Sequence, residues 1–357
     1  MTTRRAFLAG AAAASLAPAA SWSDVGSPTY LSAAMTPESA YRLYGIGEDL
    51  DLVFSVPLPG RGHAAAAHPH RPEAVAFARR PGVFALVIDC REGRADRRLE
   101  APPERHFYGH GAFSQDGARL YTTENAFEEG HGVIGVWAAN EGYRRIGEFP
   151  SGGVGPHDIL HLPGSETLVV ANGGIDTHPE TGREKLNLPT MRSNISFISP
   201  TGRIDAIWET PEDQRLNSMR HLAAREDGLI AIGCQWQGDV MAGAPLVGMC
   251  RHDAPLNMLD CDRKDWRAMH GYIGGVSFAN GGDGICVTAP RGKGMARFAL
   301  GAAKSVEFTN GDDICGVATA KGGVVISDGA GLLQRLSADP LQRRFPLTWD
   351  NHLVRRG

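Results

Sequence analysis

The sequence has no Cys-x-x-Cys, Cys-x-x-Cys-His or His-Glu-x-x-His spacing, which excludes the common zinc, c-type haem and metalloprotease signatures. It has no Gly-x-Ser-x-Gly elbow, so no nucleophilic serine of the α/β-hydrolase kind can be read from it. An excess of one charge is missing too. Thirty-six Lys and Arg stand against 40 Asp and Glu, a formal net charge of −4, which gives no footing for nucleic acid or an anionic membrane as partner. Six cysteines (Cys90, Cys234, Cys250, Cys261, Cys286, Cys315) are too sparse for a disulfide scaffold. Cys250 and Cys261 are the pair best spaced to close a loop in an oxidising compartment, whereas Cys90, Cys234 and Cys286 lie in strand-like runs and read as small buried apolar residues. Sustained helical periodicity with caps is absent, so an α/β layer fold is disfavoured. Nor is there a long hydrophobic run: the Ala-rich stretch at 9–20 is too short and too weakly apolar to span a bilayer.

That stretch carries the clearest signal at the chain start. Arg4-Arg5-Ala6-Phe7-Leu8 precedes it, and Ala17-Pro18-Ala19 offers small residues at a cleavage point. A twin-arginine secretory signal is expected over residues 1–19, with the mature chain at 20–357 delivered to the periplasm. The resemblance to such signals implies export of an already folded protein, often around a cofactor acquired beforehand.

What the chain does contain is repetition. Gly (45) and Pro (22) are abundant, as a fold with many tight turns requires. Seven segments share one pattern, marked by His63, His110, His157, His221, Gly275, Cys315 and His352. Five of them reach a glycine seven residues on (Gly117, Gly164, Gly228, Gly282, Gly322), each followed by a strand-like run rich in Val, Ile and Leu. The markers are 47, 47, 64, 54, 40 and 37 residues apart, near the length of a four-stranded propeller blade. The expected fold is an all-β, seven-bladed β-propeller in a single domain, with an insertion loop around 176–192 filling the longest gap. The last marker lies too near the C-terminus for three further strands, so Tyr30–Met35, Tyr41–Ile46 and Leu52–Pro57 are expected to complete its blade and close the ring. A pair of β-sandwiches is the runner-up.

In a propeller the first strand of each blade lines the central channel, so equivalent positions form a ring at one height. The markers put five imidazoles and a thiol on that ring: His63, His110, His157, His221, Cys315 and His352. Imidazole suits Zn, Cu, Fe and Ni, and a thiolate shifts preference toward softer ions; an axial metal site is the sharp reading. A polar ring bridged by ordered water is the plain one, and a pH-responsive or catalytic histidine cluster is a third. Four further groups follow the second strands and are expected on one rim: Glu124-Asn125, Asn172-Gly173-Gly174, Gln235-Trp236-Gln237 and Pro290-Arg291-Gly292. Lys185, Asn187 and Arg192 in the insertion are candidates to cover it. His68-Pro69-His70 reads as a turn between strands.

The chain resembles a family of bacterial proteins of unknown function that carry a twin-arginine signal and are often encoded beside imelysin-type periplasmic iron proteins. The carrying segments include Val169-Val170-Ala171-Asn172-Gly173-Gly174-Ile175-Asp176-Thr177-His178-Pro179, Met219-Arg220-His221-Leu222-Ala223, Tyr272-Ile273-Gly274-Gly275-Val276 and Trp349-Asp350-Asn351-His352. The resemblance implies a propeller-like fold, iron or copper rather than zinc as the metal ion, and a periplasmic iron-uptake protein as partner. It brings no assigned reaction, and the reading leans away from an enzyme. The leading function is periplasmic metal handling at the axial site. The alternatives are a non-enzymatic interaction propeller of the cell envelope, or a hydrolase or lyase at the channel mouth with Arg291 or Arg192 holding an anionic substrate.

Overall fold

The computed structural model describes residues 20–79, 84–182, 184–279, 281–301 and 306–356; the expected signal at 1–19 lies outside them. Its sheets follow from an ordered gradient of side-chain size and polarity within each repeat. The inner strands of blades 1 and 6 are built largely from small residues, Gly62–Ala67 (GHAAAA) and Ile314–Ala320 (ICGVATA), as convergence of seven strands on one axis favours. Second and third strands are apolar on both faces: Leu168–Asn172 and Asn194–Ile198 are buried along their whole length. Outer strands alternate or are exposed, as in Arg94–Leu99 and Ile204–Glu209.

Seven antiparallel sheets result. Blade 1 starts at the inner strand Gly62–Ala67, blade 2 at Arg105–Phe113, blade 3 at Pro156–His161, blade 4 at Asn217–Ala224, blade 5 at Gly275–Phe278 and blade 6 at Ile314–Ala320. Each runs outward in chain order over four strands. Blade 7 is composite: the short strands Thr348–Trp349 and Val354–Arg355 form its inner edge, and Tyr30–Met35, Tyr41–Ile46 and Leu52–Leu58 supply the rest. Ala34 pairs with Trp349 and Leu31 with Val354, so the ring closes as the repeat pattern predicts. Adjacent inner strands abut around the circle, blade 7 meeting blade 1.

The cores lie between blades. Leu31, Leu43 and Val56 of blade 7 pack on Ala74, Ala76, Leu86 and Ile88 of blade 1, and the other interfaces repeat this arrangement. One short α-helix, Arg263–Ala268, links blades 4 and 5 among the described residues and buries Trp266. No helix of the described residues is long and apolar enough to cross a membrane. Insertion 176–192 falls between the second and third strands of blade 3 and contains two 3-10 turns, Pro179–Thr181 and Leu188–Thr190.

The cysteine pairing expected from spacing does not form. All six thiols are free. Cys250 is buried in the interface between blades 3 and 4, whereas Cys261 packs with Trp266 in the next one, so a blade's sheet separates their environments.

Candidate functional site

The channel side chains owe their direction to irregularities in the inner strands. A regular inner strand would send its side chains alternately toward the two neighbouring blades. Here the pairing register slips between Gly62 and Ala65, Phe107 and Gly111, Pro156 and Asp158, Met219 and His221, and Ile314 and Gly316. Such bulges re-aim a side chain and interrupt pairing. At Gly109, φ is +103° and an added Cβ would lie 2.6 Å from His63 Cδ2, so this position needs glycine both for its backbone and to leave room for the neighbouring imidazole.

The ring has two heights rather than one. The inner hairpins are closed by His68 N–H to Glu73 O, Ser114 N–H to Arg119 O, Leu162 N–H to Thr167 O, Arg225 N–H to Leu229 O and Ala279 N–H to Gly284 O, and the composite blade by Arg356 N–H to Thr29 O; Ala320 pairs with Gly323 in blade 6. Four residues back from these closing positions stand Ala64, His110, Asp158, His221, Gly275, Gly316 and His352. Five residues back stand His63, Gly109, His157, Arg220, Gly274, Cys315 and Asn351. The first layer faces a cavity of about 390 Å³ lined by His110, Asp158, His221 and His352. The second faces one of about 230 Å³ at the other mouth, lined by His63, His157, Arg220 and Asn351. The single register expected for His63, His157 and Cys315 is therefore off by one residue: the marker glycine is third in the turns at Gly117, Gly228 and Gly282 but second at Gly164 and Gly322.

All five imidazoles nevertheless meet on the axis. Ring centroids of His63 lie 5.0 Å from His110, 5.7 Å from His157 and 4.5 Å from His352. His221 is 5.1 Å from His157 and 5.3 Å from His352. One ligand atom from each of His63, His110 and His352 can be chosen so that all lie within 4.8 Å of one another. Cys315 does not join them. Its Sγ donates to Asp350 O at 3.7 Å, and burial, then Asp313 and Asp350, push its thiol up to about 12.

Hydrogen bonding sets the ring tautomers. His110 Nδ1 lies 3.0 Å from Asp158 Oδ1, and Asp158 is fixed by the Leu222 N–H at 3.0 Å and the Ile159 N–H at 2.8 Å. Burial opposes the Asp158 charge, but His110 and the other donors outweigh it and hold the carboxyl below its usual range. His157 Nδ1 donates to Arg220 O at 2.8 Å. Buried nitrogens remain without a hydrogen-bond partner among the described residues: His63 Nδ1, His110 Nε2 and His352 Nε2. Burial, reinforced by neighbouring cationic groups, holds His63, His157 and His352 well below the ordinary imidazole range, and His221 falls to about 3, burial again first among the causes. These rings are neutral, the form in which imidazole ligates a metal.

Asp158 is the channel residue that histidine counting passes over, although it adjoins His157 in sequence. Of the four groups expected on one rim, only Gln235 and Arg291 reach the mouth beside His63 and His157. Glu124 is instead buried in blade 2 against Arg145 at 2.7 Å, and Asn172 is buried in a network with Ser151, Asn194 and Ser196. Within the insertion, Lys185 lines the mouth. Asn187 pins the loop through Asp176 N–H and Gly174 O, and Arg192 turns away to Glu212 at 2.9 Å.

A family model described as "Protein of unknown function (DUF1513)" matches residues 56–356. No curated protein matches the sequence. Among solved structures the chain is similar to Kuenenia stuttgartiensis hydrazine synthase, with 11% identity, a TM-score of 0.60, and 89% of this chain and 95% of that chain covered. At such identity the likeness concerns the fold.

Proposed function

The chain belongs to the DUF1513 family of proteins of unknown function, and for it we propose metal handling at an axial histidine site. His63, His110 and His352 are the first ligands of one ion, with His157 and His221 beside them. The observation that carries this reading is that His63, His110 and His352, each with a buried ring nitrogen lacking a hydrogen-bond partner among the described residues, bring ligand atoms within 4.8 Å of one another. A buried polar atom without a partner costs about 1–3 kcal/mol, and an ion that accepts several such lone pairs removes that penalty at each. Bond lengths of about 2.0–2.1 Å put tetrahedral nitrogens about 3.4 Å apart, so the rings close in by small rotations on binding. The Asp158–His110 contact supports the reading, because a carboxylate behind a ligating histidine fixes its tautomer and raises its basicity.

Three imidazoles leave a coordination position open. Donors that are all nitrogen, with the thiol turned aside, suit iron, copper, nickel or zinc. Iron or copper is favoured by the resemblance to proteins associated with periplasmic iron uptake. In this reading the protein is exported to the periplasm and works with an iron-uptake partner.

The test is elemental analysis of protein purified from the periplasm without chelators, beside a His110→Ala/His352→Ala variant. About one equivalent of iron or copper per chain, falling at least tenfold in the variant, is the expected result. Wild-type protein that retains no metal after incubation with ferrous and cupric ions would overturn the proposal.

A further inference from the structure

The two mouths of the channel differ in charge. On the first-layer side the cavity wall carries one anion, Asp158, and one cation, Arg355. On the second-layer side the cavity is lined by Arg79, Lys185, Arg220 and Arg291, with His63 and His157 beneath and no Asp or Glu in its wall. These cations come from blades 1, 3, 4 and 5, so the ring fold gathers charges that are far apart in sequence. Arg79 shares the Asp350 carboxylate, at 3.1 Å, with Arg61 at 2.7 Å. Lys185 and Arg291 have no carboxylate within ion-pair distance among the described residues: Lys185 Nζ donates to Gln237 Oε1 at 2.6 Å, and the Arg291 guanidinium sits 4.3 Å over the Tyr272 ring.

Like charges gathered at one opening are unfavourable unless an anion joins them. Burial, then Arg220 and Arg291, depress the Lys185 ammonium, so the crowding adds to the effect of desolvation. Neutral acceptors and donors complete the wall: Tyr108 Oη meets Thr177 Oγ1 at 3.1 Å, and Gln235 and Asn351 face the same space. His221, 4% exposed, forms part of the floor. A cavity of about 230 Å³ admits a compact ligand and excludes most drug-sized ones.

We propose that this mouth binds a small, multiply charged oxyanion, a polycarboxylate or a phosphate, between Lys185 and Arg291, with its far end toward the histidine floor. The site does not depend on the axial ion. Arg291 is pre-oriented by the Tyr272 ring for planar, two-point recognition of a carboxylate or phosphate edge. Lys185 arrives on the insertion of blade 3, whose path Asn187 fixes, and supplies a point charge.

Calorimetric titration of chelator-treated, full-length protein with citrate and, separately, with inorganic phosphate tests this at two salt concentrations. The expected result is saturable binding of one or both anions, weakened at least tenfold by Lys185→Gln/Arg291→Gln and weakened by added salt. The ratio of the two affinities identifies the oxyanion class. An Arg297→Gln variant, altered on an outer surface where Arg297 meets Asp283, should bind like wild type. Absence of saturable binding for both anions in folded wild-type protein, or equal affinity in the double variant, would overturn the proposal. Because the protein is metal-free throughout, a failure here leaves the metal site standing, and a failure of metal binding leaves this site standing.

Discussion

Asp158 decides what His110 can offer. With Nδ1 held 3.0 Å from the carboxylate, the Nε2 lone pair is the one left toward the axis. Replacing the charge while keeping the shape isolates this effect: Asp158→Asn should fold, because the amide oxygen can still accept from Leu222 or Ile159. Its affinity for the axial ion should drop about 10–100-fold, measured by competition with a chromogenic chelator. An unchanged affinity would mean that the His110 tautomer is set elsewhere. Residues of this kind are hard to read in sequence. Histidines stand out because they are rare, and one aspartate among many acids does not, even when it fills the place a histidine holds in neighbouring repeats.

At the scale of the element, the hairpin turns govern both stability and what the sequence discloses. His68 is the clearest case. It is 2% exposed, its Nδ1 accepts from the His70 and Arg71 N–H groups, and its Nε2 lies 3.1 Å from Gly117 O of blade 2. The turn expected there is thus also a bolt between blades. Burial, then Arg71, lowers its pKa from 6.5 to about 4. The folded chain therefore stays neutral at His68 where the unfolded chain takes up a proton, so this contribution to stability is complete above about pH 6.5 and is lost as pH falls toward 4. The urea midpoint should drop between pH 7.5 and 5.0, and the drop should be smaller in a His68→Asn variant whose midpoint at pH 7.5 is already lower; an equal drop would remove His68 from the account. The same turns explain the misread register. Blade period, strand runs and the composite blade were legible because hydrophobic runs and glycines repeat. The one-residue offset of His63, His157 and Cys315 was not, because it arises from bulges and from turns of unequal length, which leave no periodic mark.

For the whole molecule, the decisive contacts are those that join its two ends. Trp349 is 2% exposed and packs edge-on against Tyr44 at 5.5 Å, while Asp350 holds Arg61 at 2.7 Å and Arg79 at 3.1 Å. Trp349 Nε1 has no partner among the described residues, so Trp349→Ala removes packing and no hydrogen bond. A loss of about 3–5 kcal/mol is expected, read from chemical denaturation; a change below 1 kcal/mol would show that the composite blade holds without it. Ser32 Oγ donates to His352 O at 2.8 Å, tying the last axial histidine to the first strand. That tie puts an order in time on the site. His63, His110, His157 and His221 are made early, and His352 takes its place only when the blade shared by both ends has formed. The full set of axial histidines therefore assembles only with closure of that blade, so the ring of histidines is a record that the circle has been joined.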